Sequence, residues 1–210
     1  MELKTFKTEA EFELASIDFV KNICESDNKN YIGLSGGNTP KAIYQGLSKL
    51  ELPNTEFYQV DERCVKKNHP DSNYSLITGS LRKPFHHFDT DLPIPKSLEK
   101  YAGELPELFD LMILGIGPDG HTASLFPGSP ALKEMHEKVA YTTTKKFAVR
   151  DRLTLTFPAI LNSKKLLLLM KGEDKKEILD ELINSDKTLE ELPARDLLTH
   201  PNLTIYFGEF

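Results

Sequence analysis

Cysteine is scarce in this chain: Cys24 and Cys64 are the only two in 210 residues. Two thiols so far apart make neither a disulfide framework nor a zinc site, and the expected state is a reduced pair in a cytoplasmic protein. Basic charge is also short, with 26 Lys and Arg against 32 Asp and Glu and a formal net charge of -6. That balance argues against nucleic acid or an anionic membrane surface as a partner. No stretch approaches the roughly 18 apolar residues that a membrane span needs. Met1-Glu-Leu-Lys-Thr-Phe6 lacks the basic start and apolar run of a signal peptide. Internal repeats and low-complexity segments are missing as well. What is present, 39% apolar and 28% charged residues, suits a soluble globular protein with one domain over residues 1–210.

Hydrophobic spacing alternates between two periods along the chain. Phe12, Ala15, Phe19, Val20 and Ile23 recur at helical spacing and predict a first helix over 9–24. Short apolar runs at 31–34, 109–114 and 165–170, the alternating stretch 152–156, and the stretches 56–60 and 203–207 predict strands. The Leu-rich 165–170 run reads as a fully buried parallel strand. Between them, helices are expected from Pro40 through Leu47, from Ser72, over 96–105, and from Gly172 through Leu182. Such alternation predicts an α/β fold around a mainly parallel sheet, whose ligands bind beyond the carboxyl ends of the strands. Polar loops follow the predicted strands at 35–39, 61–63, 115–128 and 171–175.

Those loops carry the chemistry. Ser35-Gly-Gly-Asn-Thr39 leads from a strand into a helix, with Thr39 expected at the N-cap and Pro40 in the first turn. Its glycines Gly36 and Gly37, the hydroxyls of Ser35 and Thr39, the amide of Asn38 and the helix start suit a phosphate. It is not a P-loop, because the Gly-Lys-Ser/Thr ending is missing. Asp61-Glu-Arg63 sets two acids and a base at a strand end. Gly115-Ile-Gly-Pro-Asp-Gly-His-Thr-Ala-Ser-Leu-Phe-Pro-Gly128 is too glycine-rich to continue a strand or helix. Within it, His121 has the chemistry of a general acid or base, and Asp119 stands where it could orient the ring and fix its tautomer. His69, His86 and His87 follow no ligand spacing, so no metal is expected. Arg152 and Lys175 are cations near strand ends, and an anionic substrate would need at least one of them.

These pieces, in this order, resemble the 6-phosphogluconolactonase family, within the wider group that includes glucosamine-6-phosphate deaminases. The matching stretches are Leu34-Ser-Gly-Gly-Asn-Thr-Pro40, Val60-Asp-Glu-Arg63, His69-Pro-Asp-Ser-Asn-Tyr74, Asp110 to Gly128, Arg152-Leu-Thr-Leu-Thr156 and Lys171-Gly-Glu-Asp-Lys175. The resemblance implies a three-layer, Rossmann-like α/β fold of the deaminase type. It also implies hydrolysis of 6-phospho-D-glucono-1,5-lactone to 6-phospho-D-gluconate in the oxidative pentose phosphate pathway, with no cofactor, by a monomer or homodimer. On this resemblance His121 activates water, and Asp61 and Arg63 lie beside the sugar ring, with Arg63 stabilising the oxyanion. Ser35 to Thr39, Lys175 and Arg152 would hold the phosphate. The deaminase pattern carries a glutamate just before its Pro-Gly and a tyrosine where this chain has Arg63. Here Phe126 takes the glutamate's position, and it cannot relay a proton. A non-catalytic sugar-phosphate sensor would normally need an attached DNA-binding module, for which no basic segment is available.

Overall fold

The computed structural model describes residues 1–25 and 28–210. In chain order the elements are β1 (Glu2–Phe6), α1 (Glu9–Cys24), β2 (Asn30–Leu34), α2 (Lys41–Leu47), β3 (Thr55–Gln59), β4 (Asp61–Arg63), α3 (Asn73–Leu81) and α4 (Ile94–Glu104). Then come β5 (Leu111–Gly115), β6 (Val139–Thr143), β7 (Asp151–Leu155), α5 (Phe157–Leu161), β8 (Leu166–Lys171), α6 (Lys176–Asn184) and β9 (Leu203–Gly208). Six strands form one sheet in the order β1-β9-β8-β5-β2-β3, and every neighbouring pair runs parallel. β4, β7 and β6 form a small antiparallel sheet.

The period of two explains the three layers. Leu166, Leu168 and Met170 of β8 join Tyr101, Ile160, Ile178 and Leu182 from α4, α5 and α6 in one buried cluster. Leu167 and Leu169 face the other way and join Phe12, Val20, Ile43, Tyr44 and Ile77 from α1, α2 and α3. A strand read as continuously apolar is therefore two core faces, one for each layer of helices. Burial of each large side chain in these clusters contributes about 1.5–3 kcal/mol. No helix among the described residues is long and apolar enough to cross a membrane.

Several short elements were not foreseen. β1, β6 and α5 are strand, strand and helix where nothing was expected, and 61–63 is a strand rather than a polar loop. The reason lies at Val60. Its N–H donates to the Leu34 carbonyl and so ends the large sheet, while its own carbonyl accepts from Leu155 N and opens the small one. Asp61, Glu62 and Arg63 are extended because β7 pairs with them, a tertiary cause that overrides their polar character. The proline-rich stretch before α4 protects the outer edge of β3: His86 N–H donates to the Phe57 carbonyl and Gln59 N–H to that of His86.

Candidate active site

β2 and β5 are hydrogen-bonded neighbours, yet the chain leaves β2 toward β3 on one side and leaves β5 toward β8 on the other. The loops after them therefore diverge and open a crevice at the carboxyl ends of the strands. The cleft found there has a volume of about 200 Å³ and gathers Ser35, Gly36, Gly37, Thr39, Asp61 and Arg63 with His121, Arg152 and Lys175. Nine of the eleven expected site residues thus share one wall. Asn38 is exposed and stands outside it, and Asp119 lies behind the His121 ring.

The expected capping role of Thr39 is not seen. Pro40, with helical φ -81° and ψ -6°, occupies the N-cap of α2, and no side chain caps the helix. Thr39 instead lines the cleft. Gly37 takes φ +95°, a conformation open to glycine at little strain. A Cβ on Gly36 would lie 2.0 Å from Asn73 Oδ1, so this loop packs against the start of α3 through a bare backbone. Ser35 Oγ is buried without a hydrogen-bond partner among the described residues, as is Arg63 Nε. Both residues line the cleft, and a ligand oxygen would satisfy each.

Asp61 is nearly buried and held from two sides. Ser124 Oγ donates to Oδ2 at 2.6 Å, and Asn73 Nδ2 donates to Oδ1 at 3.2 Å and to the Asp61 carbonyl at 2.9 Å. Next to it, the carboxylate of Glu62 is buried and accepts from Asn73 N (2.8 Å), Tyr74 N (2.7 Å), Ser72 Oγ (3.1 Å) and Gln59 Nε2 (2.9 Å). Glu62 thereby fastens the first turn of α3 to β4 and delivers Asn73 to Asp61. Neither Asn73, Ser124 nor the anchoring role of Glu62 was foreseen; the polar run Ser72-Asn-Tyr74 before a helix was the available signal. Glu62→Ala leaves two helix-start N–H groups unpaired, and its expected effect is a loss of about 3 kcal/mol in denaturant unfolding. A midpoint and slope equal to those of the natural chain would show that α3 needs no such anchor.

Arg63 and Arg152 are direct cross-strand partners in β4 and β7, and both line the cleft. Like charges placed opposite each other destabilise a sheet, and an anion between them reverses the sign of that effect. Burial, then the neighbouring Arg63 guanidinium, pulls the Arg152 guanidinium below its ordinary value. Arg63 Nη1 donates to the Asp71 carbonyl at 2.6 Å and Arg152 Nε to that of Val149 at 3.0 Å, which fixes both forks in place. Lys175 ends a short 3-10 turn (Glu173–Lys175) after β8 and has no ion-pair partner among the described residues, whereas Lys171 pairs with Glu9.

His121 sits on a tight turn closed by Gly117 N–H to the His121 carbonyl (2.8 Å) and Gly120 N–H to the Gly117 carbonyl (3.0 Å). Gly120 has φ +78°, and Ala123, further on, has φ +51°. The ring Nδ1 bonds Asp119 Oδ1, while Nε2 has no hydrogen-bond partner among the described residues. Phe126, almost fully buried, packs its ring 4.7 Å from that of His121. Burial alone would raise the Asp119 carboxyl; the bond from His121 and the Lys146 ammonium outweigh it and hold it well below the ordinary carboxylate range. A carboxyl lowered on folding stabilises the fold above its ordinary range, and this contribution is lost as pH falls through the lowered value.

A family model described as glucosamine-6-phosphate isomerases/6-phosphogluconolactonase matches residues 10–205. The 6-phosphogluconolactonase of Thermotoga maritima is 35% identical over 176 residues, spanning 78% of this chain and 79% of that protein. The chain belongs to the 6-phosphogluconolactonase family. Solved structures of family members superpose over its whole length. For the 6-phosphogluconolactonase from Shewanella baltica the TM-score is 0.91 at 25% identity, covering 100% of this chain and 98% of that one. For the 6-phosphogluconolactonase from Trypanosoma brucei it is 0.88 at 26% identity, covering 99% and 95%. The three-layer α/β architecture with its parallel sheet is thus that of the 6-phosphogluconolactonase family, in agreement with the fold expected from the sequence.

Proposed function

We propose that this chain hydrolyses 6-phospho-D-glucono-1,5-lactone to 6-phospho-D-gluconate, the lactonase step of the oxidative pentose phosphate pathway, with His121 as general base. The observation that carries the reading is a histidine tied through Nδ1 to a carboxylate, its Nε2 without a partner among the described residues, in the wall of a cleft that also presents two opposed guanidiniums. Asp119 holds the ring in the tautomer that leaves Nε2 unprotonated and stabilises the imidazolium that forms. Nε2 takes a proton from water as the water oxygen bonds to the lactone carbonyl carbon. Negative charge gathers on the carbonyl oxygen, where Arg63 is placed to offset it. Collapse of that intermediate breaks the bond to the ring oxygen, which leaves as the sugar hydroxyl carrying the proton returned by His121. Asp61, held by Ser124 and Asn73, orients the sugar hydroxyls, and Ser35, Gly36, Gly37, Thr39, Lys175 and Arg152 take the phosphate. Phe126 against the His121 ring offers no second proton relay, which the ring-opening deaminase reaction would require.

The test compares acid release from freshly made lactone with and without enzyme, because the lactone also hydrolyses spontaneously, and measures ammonia release from glucosamine 6-phosphate in parallel. The expected result is acid release well above the blank and no ammonia. Lactone hydrolysis at the blank rate would overturn the reading. Lys175→Ala is expected to raise KM about tenfold with kcat within twofold, since a phosphate remote from the carbonyl is held equally in ground and transition states. A fall in kcat with KM unchanged would move Lys175 from the phosphate to the reacting centre.

A further inference from the structure

The loop of the β6–β7 hairpin, residues 144–150, belongs to none of the motifs of the sequence and passes across the His121–Asp119 pair. Phe147 sets its ring edge-on to His121, with centroids 5.5 Å apart and planes at 73°, and packs 5.8 Å from Phe126. Arg152 lies over both phenyl rings, at 5.9 and 5.8 Å. Next to Phe147, the Lys146 ammonium stands 3.3 Å from Asp119 Oδ2, the oxygen not engaged by the ring. That oxygen is buried and accepts no other bond among the described residues.

We propose that this loop positions the base: Phe147 fixes the plane of the His121 ring, and Lys146, through Asp119, sets the pH range over which the ring accepts a proton. The proposal rests on the lactonase reading for its kinetic arm. Lys146 is largely exposed and Asp119 is not, so the ion pair adds little to stability while its field reaches the ring through a poorly solvated carboxylate. With the ammonium present, an imidazolium gains less from Asp119; without it, the protonated ring is favoured. The sign follows: loss of the Lys146 charge keeps His121 protonated to higher pH. Other charges near the pair are unchanged by substitution of Lys146. Asp61, Arg63, Arg152, Lys171 and Lys175 share the cleft with the ring. Behind Asp119 stand Asp174, Glu177, Glu181, Lys187 and Glu191.

The experiment records kcat/KM against pH for the natural chain, Lys146→Gln and Lys146→Arg, and the His121 ring titration of each by NMR, assigned with His121→Asn. Lys146→Gln is expected to move the acidic limb and the ring titration to higher pH by about half a unit, the size expected of one exposed charge near the carboxylate. Lys146→Arg is expected to overlay the natural profile. Phe147→Ala is expected to lower kcat about tenfold. Superimposable limbs and titrations for Lys146→Gln overturn the role of Lys146, and an unchanged kcat for Phe147→Ala overturns that of Phe147. The ring titration needs no turnover, so a shifted titration in a chain without lactonase activity would sink the lactonase reading and leave the Lys146 coupling standing.

Discussion

His121→Asn is expected to lower kcat/KM for the lactone by about a thousandfold, within the range spanned by loss of a positioned general base. Asparagine keeps a donor near Asp119 and a planar group beside Phe126 and Phe147, so the turn from Gly117 to His121 has reason to persist. What it cannot do is take a proton from water at neutral pH. Thermal unfolding of the variant should accordingly stay close to that of the natural chain, while the catalysed rate drops toward the blank. The residual rate is informative as well, because Arg63, the group proposed to offset charge on the carbonyl oxygen, is intact in the variant. Activity within a few-fold of the natural chain would remove His121 from the mechanism.

The elements legible in the sequence are those whose cause is local. α1 announces itself by helical spacing, and β5 and β8 by runs that are apolar on both faces because helices cover both. The glycine-rich loops are legible because few residues tolerate their turns. β1 is not, because Glu2, Lys4 and Thr5 belong to an exposed edge strand with no buried face to pattern. β4 is not, because Asp61-Glu-Arg63 becomes a strand only when β7 lies beside it. The same limit governs the site. Ser35, Asp61, Arg63 and His121 stand in recognisable motifs and meet in the cleft. Asn73 and Ser124 act through contacts with Asp61 across 12 and 63 positions of sequence, and Lys146 reaches Asp119 from a hairpin tip, so only the assembled fold reveals their roles.

Gly117→Ala tests how tightly the base is held, and its expected cost in rate is at least a hundredfold. Gly117 does not need a left-handed backbone, so alanine brings no conformational strain there. The obstacle is steric: a Cβ at this position would lie 2.0 Å from His121 Cε1 and 2.1 Å from Nδ1. A ring usually escapes such a contact by turning about its side-chain bonds, but this one has little room. Asp119 holds Nδ1, Phe126 packs 4.7 Å from the ring centroid, and Phe147 meets it at 5.5 Å. The new methyl must therefore push the imidazole off Asp119 or open the turn that Gly117 N–H closes on the His121 carbonyl. Either way Nε2 leaves the position in which it is proposed to meet the attacking water, and a displacement of about 1 Å at a reacting group is enough for a hundredfold loss. KM should change little, since the groups proposed to hold the phosphate stand on other loops. A variant with natural kcat would mean that the ring has a second productive position, and the close fit of Gly117 to His121 would then be packing without catalytic consequence.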